Sequence, residues 1–325
     1  MKIGRNLFWA WLLGVLLLPG MVQAQFTFTT NTDGSLNISN YTGSGGTVVI
    51  PNTTNGLSVT SIGSSVFSNN TSVTSVTIPD SVITIGDNAF YNCTGLTTIK
   101  LGSKVNAIGD WTFTLCTRLS SVTIPDSVLN IGVGAFQSCN SLNNVIIGFG
   151  VTNIGNAAFQ SCPSLISITT PTNVTTIGIR AFNGCAMSSF TVSSNVTSIG
   201  YEAFLGLPNL TALTVDTNNS YYSSVAGVLF DKYQTTLIQC PMPKAGSYII
   251  PNSVTSILDM AFTSCFNLTN ITIPTNVTYI GGWVFDDCTN LTSIVIPNGV
   301  PSIGTNDFLY CYNLSRSHLI NAATG

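Results

Sequence analysis

The chain has 325 residues, of which 44% are hydrophobic and only 6% charged, with a formal net charge of −3. Typical soluble domains carry about 25% charged residues, so Ser, Thr and Asn must supply most of the polar surface here. Beyond residue 24 the basic residues are Lys100, Lys104, Arg118, Arg180, Lys232, Lys244 and Arg316; phosphate backbones demand clustered Lys and Arg, so this scatter excludes nucleic acid as a partner.

Residues 1–24 read as a cleavable signal peptide: Lys2 and Arg5, an apolar run from Leu7 to Leu18, then Val22-Gln23-Ala24 before Gln25. The apolar run is too short for the roughly 20 residues that span a bilayer, and no later segment is longer. The expectation is a secreted or cell-surface protein with no transmembrane span after cleavage. Cleavage removes two of the nine basic residues and none of the twelve acidic ones, giving a formal charge of −5. Residues 25–61, with Asp33-Gly34, Tyr41-Thr42-Gly43 and Val48-Val49-Ile50-Pro51, form an irregular N-terminal β cap.

A repeat fills residues 62–215. An Ile-Gly pair with a Phe five residues after its Ile recurs at Ile62/Phe67, Ile85/Phe90, Ile108/Phe113, Ile131/Phe136, Ile154/Phe159 and Ile177/Phe182, always 23 residues apart, and once more, one residue early, at Ile199/Phe204. Periods of 20 to 29 residues mark leucine-rich-repeat solenoids, whose turns bury their apolar side chains only by stacking. The fold class is therefore a leucine-rich-repeat type solenoid, mainly β, with one parallel sheet along the rod and short helical turns. In the type segment Leu96-Thr97-Thr98-Ile99-Lys100-Leu101, alternation makes a short strand with Ile99 and Leu101 inward. Gly86 and its equivalents mark a backbone site that a side chain would crowd or that needs positive φ. The next segment makes a tight helical turn that drives Phe90 into a column of stacked rings.

Eight cysteines lie three residues after the repeat Phe: Cys93, Cys116, Cys139, Cys162, Cys185, Cys265, Cys288 and Cys311. Parallel side chains on stacked turns bridge poorly, and a metal site wants close ligand pairs with His, so buried free thiols are the preferred reading. Cys240 is out of phase and has no assigned environment.

Residues 216–250 interrupt the period. Val228 to Phe230 and Thr236 to Ile238 read as a hairpin, in a segment containing Tyr221, Tyr222, Tyr233 and Tyr248. These tyrosines are either packing or an interaction hot spot. The repeat resumes over 251–313, at Ile257/Phe262, Ile280/Phe285 and Ile303/Phe308, with Leu258 replacing the first Gly. In residues 314–325 Leu314 is in phase but Ser317 stands at the core position, giving a degenerate last coil or tail.

On the strand face the side chain between each inward pair points outward, at Thr77, Lys100, Thr123, Ile146, Thr169, Thr191, Thr214, Thr272 and Val295. This Thr-dominated stripe, with Tyr221, Tyr222 and Tyr233, is the candidate interaction surface; the competing reading is that Thr is simply a good strand former. Catalytic signals are missing: His318 stands alone, Glu202 is the only Glu, and neither G-x-S-x-G, H-E-x-x-H nor a phosphate loop occurs. No catalytic, cofactor-binding or metal-binding residue is expected. Sequons such as Asn173-Val174-Thr175 and Asn290-Leu291-Thr292 are frequent and would carry glycans only in a eukaryotic secretory route.

The unit Val-Thr-Ile-Pro-Asp-Ser-Val-x-x-Ile-Gly-x-x-Ala-Phe-x-x-Cys-x-x-Leu, at Val76 to Leu96 and again at Val122 to Leu142, resembles the BspA-like bacterial leucine-rich repeat family. The Gly227 to Asp231 and Thr236 to Ile238 segments look like an insert common in that family, and the Tyr41 region like its N-terminal cap. The resemblance implies a surface or secreted protein, with adhesion to host matrix proteins or cells among the family's activities, and transfers no binding residue. The expected function is a non-enzymatic protein- or glycan-binding module with an extracellular partner. A self-associating structural surface protein is the alternative.

Overall fold

The computed structural model describes residues 25–298, 300, 306–315 and 319–321. The expected signal peptide, Ile303, Ser317 and His318 lie outside them. The chain is a β-solenoid of about 11 turns with parallel strands.

Most turns contribute two strands, so two parallel ladders run along the rod where the sequence suggested one sheet. The front ladder joins Gly46–Val49, Val73–Thr77, Thr98–Lys100, Ser121–Ile124 and Asn144–Ile147. The side ladder passes through Leu57–Ile62, Thr84–Ile85, Ala107–Ile108, Asn130–Ile131, Asn153–Ile154, Thr176–Ile177 and Ser198–Ile199. The second ladder exists because Val82 and Ile85 are also apolar anchors, and fixing them in every turn aligns the intervening backbones at strand spacing.

The third side contains no helix among the described residues, where short helical turns were expected. Left-handed residues two before and two after each Phe, such as Asn88 (φ 57°) and Asn92 (φ 56°) around Phe90, break any helical run. Backbone bonds from alternate residues join these turns instead: the amides of Asn88, Phe90 and Asn92 donate to Asp110 O, Thr112 O and Thr114 O at 2.9, 2.9 and 2.7 Å, and that of Phe136 to Ala158 O at 2.8 Å. Inside, the Phe rings stack nearly parallel, with centroids 5.2 Å apart for Phe113/Phe136 and 5.3 Å for Phe136/Phe159.

The front ladder stops after Asn144–Ile147. The next turn, Leu165 to Pro171, makes only an isolated bridge between Ile146 and Thr169. Its inward position holds Thr170 where other turns have Ile, Val or Leu, and the polar side chain gives the strand less reason to seat. The ladder restarts as Ser189–Val192 and Ala212–Val215.

Residues 216–250 divide the apolar interior. One buried cluster runs from Phe26 to Leu213 and includes Leu229; the other runs from Val228 to Cys311. The insert finishes the first stack by satisfying its edges. Leu213 N–H donates to Gly227 O at 2.9 Å, Val215 N–H to Ser224 Oγ at 3.1 Å, and Ile199 N–H to the Tyr222 hydroxyl at 2.9 Å. Buried Asn219 donates to Ser193 O and Val196 O and accepts from the amides of Tyr221 and Tyr222.

The insert also starts the second stack in the manner of the N-terminus. There Phe26–Thr30 and Leu36–Tyr41 form an antiparallel pair whose second strand joins Leu57–Ile62 in parallel. Here Val228–Asp231 and Thr236–Gln239 pair antiparallel, and the second joins Ser256–Ile257 in parallel. Gly246–Ile249 then opens a front ladder on Leu268–Thr272, as Gly46–Val49 does on Val73–Thr77. Tyr41 packs on Phe67 with centroids 4.7 Å apart, and Tyr248 on Phe262 at 5.9 Å. Cys240 takes the backbone position of a column Phe, its amide donating to Ala261 O at 2.7 Å. The last ladder strand, Leu319–Asn321, pairs with Ser293–Ile296 so that Leu319 lies opposite Ile294, two residues beyond the place that the 23-residue period gives to Ser317.

Candidate interaction surfaces

The parallel register carries the predicted outward residues into one file. Thr77 is in register with Lys100, Thr123 with Ile146, Thr191 with Thr214, and Thr272 with Val295. Lys100, Thr123, Ile146, Thr169, Thr191, Thr214 and Thr272 are exposed, whereas Thr77 and Val295 are half-buried. Val49 and Ile249 extend the same file at the two front-ladder starts and are 57% and 72% exposed. Thr191 and Thr214 share a hydroxyl hydrogen bond of 2.8 Å.

Around the interrupted turn the face becomes apolar. Ile146 and Phe149 are 54% and 68% exposed and border a cleft of about 360 Å³ with Ile168, Thr169 and Pro171. A second cleft, of about 430 Å³, lies between Lys100, Asp80 and Thr123. Hydrogen bonds from the backbone and hydroxyl of Ser103 hold the Asp80 carboxyl below its usual range, helped by Lys100 and Lys104.

The tyrosines of the insert part company. Tyr221 and Tyr233 are exposed. Tyr222 is half-buried, with its phenol committed to Ile199 N–H, and burial raises its pKa. Tyr248 is buried with Lys244 Nζ 5.1 Å from its ring. The four tyrosines therefore do not form one exposed patch.

Five carboxylates also have structural partners. Asp80 accepts from Ser103 N, Asp87 from Asp110 N, Asp110 from Val133 N and Asp126 from Phe149 N, at 2.7–2.8 Å and always one turn on. Glu202 is largely buried and is held by Arg180 Nε at 2.6 Å.

Sequence reading passed over two tryptophans. Trp111 and Trp283 sit two residues before a column Phe, in the same phase as Arg180 and Glu202, and are 41% and 43% exposed. Their shared phase in the 23-residue unit was the available signal.

A stacked parallel solenoid with an internal Phe–Cys column and an extended outer face defines a leucine-rich-repeat protein. The chain matches the model described as "BspA type Leucine rich repeat region (6 copies)" over residues 41–166, 152–226 and 242–324, and it belongs to that family. Among solved structures it resembles a leucine-rich cell surface protein from Faecalibacterium prausnitzii, at 30% identity and a TM-score of 0.74, over 90% of this chain and 94% of that one. It also resembles the pneumococcal vaccine antigen PcpA, at 22% identity and a TM-score of 0.61, over 85% of this chain and 69% of that one. A leucine-rich-repeat protein from Eubacterium ventriosum matches at 22% identity and a TM-score of 0.56, over 90% of this chain and 82% of that one. These last two likenesses concern the fold alone. No curated protein matches the chain.

Proposed function

We propose that the protein is a non-enzymatic binding module, exported or displayed at a cell surface, that holds an extracellular protein or glycan against its front face. The observation that carries this reading is the outward file from Val49 to Thr214. It is almost free of charge and broadened by exposed Ile146 and Phe149, and repetition at strand spacing suits it to an extended partner. The likeness to a leucine-rich cell surface protein over most of both chains supports the location.

The test is binding of the purified protein to arrays of extracellular-matrix proteins and glycans. Thr123→Lys, Thr169→Lys and Thr191→Lys together should abolish a saturable signal without lowering the melting temperature, because all three side chains are exposed. Retained binding by the triple variant would remove the front face from consideration. Self-association remains the second reading, favoured by Leu319–Asn321, which has a ladder partner on one side only among the described residues. Light scattering that shows mass rising with concentration, in a sample that binds nothing on the arrays, would favour it.

A further inference from the structure

We infer that the groove beside Trp111 is a binding subsite for a neutral carbohydrate, with a sugar ring laid on the indole. The inference rests on the reading of the chain as a binding module, but it places a ligand on the turn face rather than the front face. Trp111 and Trp283 are the tryptophans of residues 25–325, and both occupy the same position of the repeat. Elsewhere that position holds Ser65, Asn88, Gly134, Ala157, Arg180, Glu202 and Met260, and these residues share left-handed backbone, with Trp111 at φ 52° and Trp283 at φ 53°. A bulky side chain is disfavoured there, and an outlier of this kind motivates a functional explanation. Packing accounts for only part of each side chain, because Trp111 and Trp283 are 41% and 43% exposed.

The next turn makes room for the ring. Gly134 stands directly beyond Trp111, and a Cβ there would lie 2.6 Å from Trp111 Cδ1 and 2.9 Å from Nε1. The indole thus spreads over bare backbone and forms one wall of an open groove of about 460 Å³, which Tyr91, Asn88, Gln137 and Ser138 help to line. Gln137 Nε2 donates to Gln160 Oε1 at 3.0 Å, which orients the amide and leaves Gln137 Oε1 beside Gly134 as an acceptor.

These parts match sugar chemistry. The C–H face of a pyranose carries partial positive charge and is attracted to the negative face of an aromatic ring, while amides and hydroxyls pair with its hydroxyl groups. No charged side chain lines the groove, so nothing would pair with a sulfate, carboxylate or ammonium group. The groove is open and polar, unlike the enclosed apolar pockets that seat protein anchors. A shallow site of this size binds weakly, and a glycan that also reached Trp283 would gain by avidity.

The test is a calorimetric and tryptophan-fluorescence titration of the protein with neutral hexose and N-acetylhexosamine oligosaccharides. At least one oligosaccharide should bind saturably. Trp111→Ala should weaken it tenfold or more, Trp111→Tyr should retain most of the affinity, and Gln137→Leu should weaken it several-fold. The triple lysine variant of the front face should bind the sugar unchanged. Circular dichroism and melting temperature establish that each variant is folded. No oligosaccharide binding, or equal binding by folded Trp111→Ala, overturns the subsite. A glycan signal lost in the front-face variant but kept in Trp111→Ala also overturns it, while leaving the front-face reading intact.

Discussion

Each in-phase cysteine is a small apolar filler that also serves a backbone carbonyl. Cys93, Cys116, Cys139, Cys162, Cys185, Cys288 and Cys311 each place Sγ 3.0–3.2 Å from the carbonyl oxygen of the Phe 26 residues earlier. Their thiols donate a weak hydrogen bond inside the core. Burial pushes the thiol pKa of Cys93 and Cys162 from 9.0 up to about 12, so the reactive thiolate is scarce at neutral pH. Iodoacetamide at pH 7.5 is therefore expected to label the native protein very slowly and all nine cysteines in denaturant, as read by mass spectrometry. The folded pKa lies above the unfolded one, so the stabilisation is complete below pH 9 and declines as pH rises from about 9 to about 12. Over that window each such thiol removes about 1.4 kcal/mol per pH unit, and urea midpoints measured at pH 8 and pH 10 should fall accordingly. Phe136→Ala empties the middle of the ring column and should cost about 3–5 kcal/mol in a urea titration. Both residue types and their phase were readable from the spacing alone. The function of Cys240 was not, because its place in the Phe column follows from the hairpin that delivers it.

At the scale of the turn, closeness decides composition. A Cβ on Gly132 would lie 2.6 Å from both the carbonyl carbon and oxygen of Gly109. The neighbouring turn cannot give way there, since the obstructing atoms are backbone. Of the two roles that sequence allowed for these glycines, crowding is the one that applies to Gly86 and Gly132, neither of which has positive φ. Leu258 fills the same place at the first turn of the second stack, where the preceding element is the hairpin strand Thr236–Gln239 rather than a regular turn. Gly132→Ala should therefore destabilise the protein by roughly 1–3 kcal/mol, measured by thermal melting. The insert is a second case of an element defined by its neighbours. Tyr222→Phe removes the acceptor for Ile199 N–H and should cost about 1–3 kcal/mol, with faster hydrogen exchange at Ile199 as its direct signature. A Tyr-rich stretch in the sequence reads equally as packing or contact surface; only the position of the first stack's edge shows that one of these tyrosines is a cap.

At the scale of the molecule there are two solenoids in series, each opened by the same device. The N-terminal hairpin and the insert hairpin both turn an antiparallel pair into a parallel ladder, and both bring a tyrosine, Tyr41 or Tyr248, onto the first Phe. Nearest-neighbour coupling governs such arrays, and a separate apolar cluster on each side of the insert makes them two cooperative units. Hydrogen exchange should resolve one unit ending near residue 229 and another beginning there. Phe136→Ala should speed exchange in the first and leave the second nearly unchanged, and Phe285→Ala should do the converse. Equal acceleration throughout in both variants would show a single unit.

The 23-residue period by itself determined that this is a solenoid, which side chains face inward, and which file of residues the front face presents. Those are local properties: alternation assigns each side chain to a face, and a fixed period stacks like on like. The tertiary structure alone decided what depends on which backbone lies next to which. The second ladder arises from the alignment of Val82-type and Ile85-type anchors between turns, and the gap in the front ladder from the single polar replacement at Thr170. The exposed indoles of Trp111 and Trp283 were invisible as a surface until left-handed backbone at both, and Gly134 beside Trp111, set their place, because a lone aromatic in a repeat reads as core unless the turn beyond it is known.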